Sequence, residues 1–171
     1  ETWYMGSGMN FPVLRVFQNY PKYPSHNNLQ PLFVADGRVS FSLDHQSTIT
    51  QYTDKAIIDW TRFSIAADES LRFIQPSSNS IVLNRVMGGF ASQIDGQLTA
   101  DGQVWLLNPN GILIGSTGQI NVGGFLASTM LFNSLNYSSG KFQYASTAPS
   151  IASGISISGM FRSFRDILLE A

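Results

Sequence analysis

The chain has 171 residues, no cysteine and a net charge of −1, from 10 lysines and arginines against 11 aspartates and glutamates. This length suits one domain with a sizeable core, and the balanced charge argues against a nucleic-acid surface, which needs a basic excess. No run of about 18 apolar residues occurs, so we expect no transmembrane segment. The lack of cysteine fits either a cytosolic protein or one that crosses an oxidising compartment unfolded.

Residues 1–31 have the composition of an irregular segment. YPKYPSHNNLQP (residues 20–31) carries three prolines and two adjacent asparagines, which disfavour regular strands and helices. GSG at residues 6–8, followed by Met9, resembles a cloning remnant. We therefore interpret residues 1–31 as an irregular N-terminal cover or a cloning-derived segment.

From residue 37 onward, polar and apolar residues alternate in short segments, which is the pattern of half-buried β-strands. RVSFSL places Val39, Phe41 and Leu43 on one face. Similar segments follow in chain order: STITQYT, AIIDWTRFSI, SLRFIQP, SIVLNRV, SQIDGQLTA, QVWLL and GQINVGGFLAST. Short strands at close, regular spacing predict an all-β sandwich, barrel or solenoid.

Three features favour a solenoid over a plain antiparallel sandwich. GQL, GQV and GQI repeat one pattern, and Gly96 and Gly118 lie 22 positions apart, within the range of one solenoid turn. Charge is thin along the chain, as expected where strand faces pack on neighbouring turns. Asparagine also recurs beside the predicted strands, where stacked turns can form asparagine ladders; these residues are Asn79, Asn84, Asn108, Asn110 and Asn121.

The tail SISGMFRSFRDILLEA supports two predictions. Phe161, Phe164 and Leu168 fall at helical spacing, so the tail is either a short helix that covers the open end of the solenoid or one more strand. Four aromatic residues within apolar strands are expected in the core: Trp60, Phe63, Phe73 and Trp105.

Asn108-Pro109-Asn110-Gly111 separates two apolar runs in QVWLLNPNGILIG and matches a type I β-turn. Pro109 fixes its own φ, and the Asn108 side chain is expected to fold back onto the backbone two residues on. Gly111 permits a positive φ at the entry to the next strand. The residues by themselves therefore explain a tight turn without any binding role.

Few residues in this chain suggest catalysis or metal binding. Asp95 and Asp101 bracket the repeated segments, but paired-carboxylate hydrolysis needs two converging groups. His26 and His45 are the only two histidines, and neither belongs to a Ser-His-Asp or metal-binding pattern. We therefore predict no catalytic residue, no metal and no cofactor.

The segments AIIDWTRFSI, LRFIQPSSNSIVLNRV, SQIDGQLTADGQVWLLNPNGILIG and GQINVGGFLAST, in this order, resemble the amino-terminal secretion (TPS) domain of two-partner secretion exoproteins, the filamentous-haemagglutinin-type or haemagglutination activity domain of Gram-negative adhesins and cytolysins. The resemblance runs from about Val34 to Thr129. It implies an all-β fold, a right-handed parallel β-helix (β-solenoid) with some antiparallel strands and capping elements. TADG at residues 99–102 replaces a second motif, NPNL, so the chain is more similar to the subgroup with NPNG alone.

The resemblance also implies a function. The domain is expected to be a non-enzymatic export address, recognised by an outer-membrane transporter of the two-partner secretion type through its periplasmic polypeptide-transport-associated (POTRA) domains. It would leave a Gram-negative cell through the periplasm, become secreted or surface-bound, and nucleate the β-helix of the C-terminal passenger region of the same polypeptide. The family's secretion motif assigns transporter recognition to Asn108, Pro109, Asn110 and Gly111, with Asn84 and Arg85 of NRV as secondary candidates.

We accordingly expect residues 32–171 to form the β-helical secretion domain, with residues 155–171 as its candidate cap. Two alternatives remain open. The chain could be a structural or adhesive β-solenoid that binds a glycan or self-assembles, since stacked turns expose continuous surfaces. The least favoured alternative is a polysaccharide-cleaving β-helix enzyme.

Overall fold

A computed structural model of the chain describes residues 28–132, 144–145, 154–163 and 167–170. In these ranges every regular element is a short β-strand, and no helix occurs. The strands are β1 (Leu29–Asp36), β2 (Val39–Ser42), β3 (Gln46–Gln51), β4 (Lys55–Phe63), β5 (Ser70–Ile74), β6 (Ile81–Val86), β7 (Ser92–Ile94), β8 (Gln97–Ala100), β9 (Gln103–Leu107), β10 (Ile112–Ile114), β11 (Gln119–Val122), β12 (Gly124–Ser128), β13 (Leu131–Phe132), β14 (Tyr144–Ala145), β15 (Ile155–Ile157), β16 (Met160–Ser163) and β17 (Ile167–Glu170).

Three mainly parallel sheets surround one apolar interior. Sheet A has the order β1-β4-β6-β9-β12-β17, sheet B has the order β2-β3-β5-β8-β11-β16, and sheet C has the order β7-β10-β15. Within the described ranges, three successive turns each give one strand to each sheet: β5-β6-β7, β8-β9-β10 and β11-β12-β15. The chain is therefore a β-solenoid, which confirms the parallel β-helix and excludes the sandwich and the barrel.

The strand register confirms the repeat that GQL and GQI predict. Gln97 pairs with Gln119, so Gly96 and Gly118 occupy the same corner of successive turns. GQV belongs to β9 of sheet A and does not stack on the other two. Two segments that the alternation predicts as single strands are each divided by a corner that contains glycine. SQIDGQLTA forms β7 and β8, and GQINVGGFLAST forms β11 and β12.

The corner at Gly96 has no room for a side chain. A Cβ there would overlap the backbone carbonyl oxygens of Ala66 and Glu69, which cannot rotate away. We expect Gly96→Ala to lower the free energy of unfolding by about 1–3 kcal/mol, as overpacking does elsewhere, measured by urea denaturation. Gly89→Ala is the matched control, because no heavy atom lies within 4 Å of its added Cβ. Equal losses in the two variants would contradict the steric explanation.

The predicted aromatic core is largely confirmed. Trp60, Phe63 and Phe73 are buried in the interior, where the Trp60 and Phe63 rings meet edge to face at 5.1 Å. Trp105 is also buried, but it lies in a separate cluster with Ile57 and other aliphatic residues on the opposite face of sheet A. Side chains alternate between the faces of a strand, so apolar residues on both faces explain the unbroken apolar run QVWLL.

The two ends of the solenoid differ in strand direction. At the N-terminal end, β1 pairs antiparallel with β4, and β2 pairs antiparallel with β3, which matches the expected antiparallel and capping strands. At the C-terminal end, β15, β16 and β17 add parallel strands to the three sheets. The helical alternative for the tail is therefore wrong, and the described part of the tail forms three strands where the strand alternative expected one. Phe161 faces the interior, 5.4 Å from the Phe125 ring.

The predicted asparagine ladder does not form among the described residues. Asn84 has Ile58 and Leu106 as its register partners. At one corner, glutamine side chains of successive turns are hydrogen-bonded to each other instead. Gln75 Nε2 donates to Gln51 Oε1 of the preceding turn at 3.1 Å. Gln75 Oε1 accepts a hydrogen bond from the backbone N–H of Gly102 in the following turn at 2.8 Å.

Candidate functional site

The tetrapeptide at residues 108–111 connects β9 to β10 as the predicted β-turn. The backbone N–H of Gly111 donates to the Asn108 carbonyl at 3.1 Å, which closes the turn. The backbone N–H of Asn110 donates to Asn108 Oδ1 at 2.9 Å, so the side chain folds back as predicted. Gly111 has a φ of 110°, in the region that favours glycine. The local geometry expected from these residues is confirmed.

Asn108 is completely buried, and its side chain connects two turns of the solenoid. Its Nδ2 donates to the carbonyl of Phe90 at 3.0 Å and to Ser92 Oγ at 2.9 Å, both in the preceding turn. Its backbone N–H donates to the carbonyl of Ser128 in the following turn at 3.0 Å. Asn108 therefore makes hydrogen bonds to both neighbouring turns and presents no polar atom to solvent.

Asn110 extends the same contact. Its Nδ2 donates to the carbonyl of Gly88 at 2.7 Å and to Asn108 Oδ1 at 3.1 Å. Pro109 and Asn110 are half-buried, while Gly111 is buried. The turn thus rests on the loop of residues 87–91 in the preceding turn, and its accessible part is limited to Pro109 and Asn110.

Asn84 lies on the interior side of β6 and is completely buried. Its Oδ1 accepts a hydrogen bond from Trp60 Nε1 at 3.0 Å, and its Nδ2 donates to the carbonyl of Trp105 at 3.2 Å. A buried polar group needs such partners. Asn84 therefore provides the hydrogen-bond acceptor for the indole N–H of Trp60, the largest core residue, and joins β4, β6 and β9.

Arg85 points to the other face of β6 and forms an ion pair with Asp59, its register partner on β4. Arg85 Nε and Nη2 donate to the two carboxylate oxygens of Asp59 at 2.6 and 2.8 Å. The Asp59 side chain is 2% exposed and that of Arg85 is 18% exposed. Sequence reasoning missed Asp59 because its partner lies 26 positions away and only the register brings the two together.

The two sequence elements meet at one loop. NRV ends β6 at Val86, and the following loop of residues 87–91 accepts the hydrogen bonds of Asn108 and Asn110. This loop exposes Met87 and Phe90, at 59% and 58% of their surface, and the Arg62 guanidinium carbon lies 4.9 Å from the Phe90 ring centroid. This apolar patch could not be predicted from the sequence, because MGGF has the composition of an ordinary connecting loop.

The remaining chemistry in the described ranges is sparse. Asp95 and Asp101 lie at opposite ends of β8. No group of three or more His, Asp or Glu side chains in these ranges is placed to hold a metal ion. The same ranges contain no helix long and apolar enough to cross a membrane. His26 lies outside the described residues.

A β-solenoid with antiparallel N-terminal strands, whose NPNG turn packs on the preceding turn, is the architecture that the resemblance implies for an export domain. The family model described as the TPS secretion domain matches residues 39–165, well over half of the chain. The chain therefore belongs to the TPS secretion domain family. It is the secretion and targeting domain of a two-partner secreted exoprotein.

Individual relatives agree with this assignment. The chain is 38% identical over 130 residues to a heme/hemopexin-binding protein of Haemophilus influenzae, which covers 75% of this chain and 14% of that protein. A heme/hemopexin-binding protein of Haemophilus influenzae strain Rd is 46% identical over 96 residues, covering 56% of this chain and 10% of that protein. The chain thus spans a small part of these relatives.

A solved structure gives the same result at the level of the fold. The crystal structure of the HMW1 secretion domain from Haemophilus influenzae superposes with a TM-score of 0.78 at 35% identity. The match covers 83% of this chain and 39% of that chain.

Proposed function

We propose that the POTRA domains of the transporter recognise the NPNG segment before the chain folds, and that the same segment afterwards locks the folded solenoid. The observation that carries this proposal is the burial of Asn108, which is 0% exposed. Its side-chain oxygen and nitrogen are both used within the chain. A partner cannot contact a side chain that has no accessible atom, so recognition of Asn108 requires an unfolded or partly folded chain.

The local part of the turn supports recognition in that state. The Asn110 N–H to Asn108 Oδ1 bond and the φ of Pro109 depend only on neighbouring residues, so the turn can form transiently in an unfolded chain. The flanking runs QVWLL and ILIG have strong strand propensity. Extended segments of this kind add to an exposed sheet edge by backbone hydrogen bonds, with side chains giving specificity.

Folding would then separate recognition from release. The bonds from Asn108 and Asn110 to Phe90, Ser92 and Gly88 exist only when two turns are stacked. Once formed, they withdraw the motif from the transporter and oppose return through it. We place this step at the surface of a Gram-negative cell, where the passenger region stacks on β15, β16 and β17 at the C-terminal end. The small share of the relatives that this chain covers supports a long passenger.

The curated relatives are named for binding heme and hemopexin. Because the chain matches only 14% and 10% of those proteins, we assign no such binding to this domain and place the passenger's activity elsewhere in the polypeptide. We also propose no catalytic role. The separation of Asp95 and Asp101 by a whole strand supports this, because glycoside hydrolysis needs two converging carboxyl groups.

The test separates recognition from folding by comparing two kinds of variant. Asn108→Ala with Asn110→Ala alters the motif, whereas Phe73→Asp places a charge at a fully buried position and blocks folding with the motif intact. Chains diluted from denaturant are titrated with the purified periplasmic domains of the cognate transporter. We expect Phe73→Asp to bind at least as tightly as the parent chain, because it cannot withdraw the motif by folding. The double variant should bind about tenfold or more weakly than the parent chain, since it loses two side-chain amides.

Asn79→Ala, an asparagine exchange in the exposed connection between β5 and β6, is the matched control and should bind normally. Normal binding of the double variant would refute recognition of the motif. Loss of binding in Phe73→Asp would show that the transporter reads the folded domain instead.

A further inference from the structure

The outer face of sheet B carries a shallow polar groove. It has a volume of about 410 Å³ and is lined by Arg72, Thr99, Ala100, Asp101 and Asn121. This volume lies within the range of roughly 300–1,000 Å³ that small-ligand sites occupy. The lining is mostly charged or polar, which favours a hydroxyl-rich or charged ligand over an apolar one.

The groove belongs to a column of polar side chains in strict register along the solenoid axis. Arg72 pairs with Thr99, Thr99 with Asn121, and Asn121 with Arg162, across β5, β8, β11 and β16. Neighbouring strands are about 4.8 Å apart, so the two arginines are separated by about 14 Å. Stacking therefore creates a regular row of hydrogen-bonding groups, suited to a ligand that is itself a linear repeat.

These side chains are available to a ligand. Asn121 and Arg162 are exposed, Thr99 is half-buried, and none of these three side chains makes a hydrogen bond to another residue in the described ranges. Arg72 contacts Asp101 at 4.0 Å, with side chains 61% and 46% exposed. An exposed pair at this distance contributes little stability. Arg72 can therefore exchange its partner for a ligand, whereas Asp101 is also held by the backbone N–H of Gln75 at 3.2 Å.

We infer that this groove binds an acidic polysaccharide that carries carboxylate groups, laid along the solenoid axis across β5, β8, β11 and β16. Arg72 and Arg162 each present a planar guanidinium that bonds a carboxylate with two parallel hydrogen bonds. Asn121, between them, both donates to and accepts from sugar hydroxyls, and Thr99 and Asp101 accept from them. The site needs only the folded domain, so it does not rest on how the transporter reads the chain.

The charge of the face favours this ligand over a nucleic acid. Among the side chains of this groove and column, Arg72 and Arg162 are positively charged and Asp101 alone is negatively charged. A phosphate backbone is held by many cations along its length. Two arginines about 14 Å apart, with neutral hydrogen-bonding groups between them, suit a polymer that presents hydroxyls between its charged groups.

Calorimetric titration of the folded chain with oligogalacturonate tests the inference, with a neutral maltooligosaccharide of the same length and inorganic polyphosphate as comparisons. We expect binding of the oligogalacturonate alone. Arg72→Gln and Arg162→Gln should each weaken it by about tenfold or more, as expected for a lost charge-assisted hydrogen bond. Asn121→Asp should also weaken it, because it places a like charge beside the ligand's carboxylates.

Arg38→Gln is the matched control. Arg38 is exposed, precedes β2 at the far edge of the same sheet, and stacks on Tyr52 outside the groove. This variant should bind as the parent chain does, with circular dichroism confirming the fold of each protein. Absence of binding, equal binding of the neutral sugar or of polyphosphate, or an equal loss in Arg38→Gln would each overturn the inference.

Discussion

Asn108→Ala is expected to lower the free energy of unfolding by about 2–4 kcal/mol, because one substitution removes hydrogen bonds within the turn and between two turns of the solenoid. The change leaves Ser92 Oγ, the Phe90 carbonyl and the Asn110 N–H without the partner that each has now. Ser92 is completely buried, so solvent cannot replace the lost amide without opening the structure. Urea denaturation followed by circular dichroism measures the loss.

A graded series distinguishes this explanation from a general weakening of the turn. Asn110→Ala removes the bond to the Gly88 carbonyl from a half-buried position, so it should destabilise by about 1 kcal/mol. Asn79→Ala, at an exposed position, should change stability by no more than about 0.5 kcal/mol. If Asn108→Ala unfolded no more easily than Asn79→Ala, the bonds between turns would not contribute to the fold.

The repeat and the strand positions could be predicted from the sequence because they depend on local alternation. Ile94 and Leu98 both face the interior although a corner lies between them, and this is why SQIDGQLTA read as one strand. The corner itself becomes visible only through the close approach of the preceding turn to Gly96. The helical prediction for the tail is wrong for a related reason. The spacing of Phe161 and Leu168 fits a helix, but the backbone groups along the open edges of β11 and β12 would lack partners if β16 and β17 did not pair with them.

The geometry of the candidate site was likewise predictable only where it depends on neighbouring residues. The turn at residues 108–111, with its side-chain bond and positive φ, follows from four adjacent residues and was predictable. The bonds from Asn108 to Phe90 and Ser92 span 18 and 16 positions, and that between Trp60 and Asn84 spans 24. Such contacts need the register, which a single sequence does not specify. The burial of Asn108, which decides in which state a partner can contact the motif, could therefore be found only from the structure.

Arg85→Ala is expected to lower the free energy of unfolding by about 3–5 kcal/mol, more than Asp59→Ala, although both break the same ion pair. The Asp59 side chain is 2% exposed, so without Arg85 its carboxylate stays buried and unpaired. The Arg85 side chain is 18% exposed, and its long stem can turn the guanidinium to water when Asp59 is removed. Asp59→Ala should therefore cost about 1–3 kcal/mol. Unfolding in urea, which does not screen charge, gives both values; a larger loss in Asp59→Ala would contradict this ordering.

The double change Asp59→Leu with Arg85→Met separates the structural role of Arg85 from a role in export. The pair lies beside Leu107, the register partner of Arg85 within the apolar cluster on that face of sheet A. Two apolar side chains can therefore pack there, and replacing a buried ion pair in this way is often neutral or stabilising. We expect the double variant to recover stability close to that of the parent chain. Export of the double variant is then compared with that of Arg85→Ala. If only the double variant is exported, Arg85 acts through the fold. If neither variant is exported although the double variant is stable, the transporter recognises the arginine in the unfolded chain, as we propose for the NPNG segment.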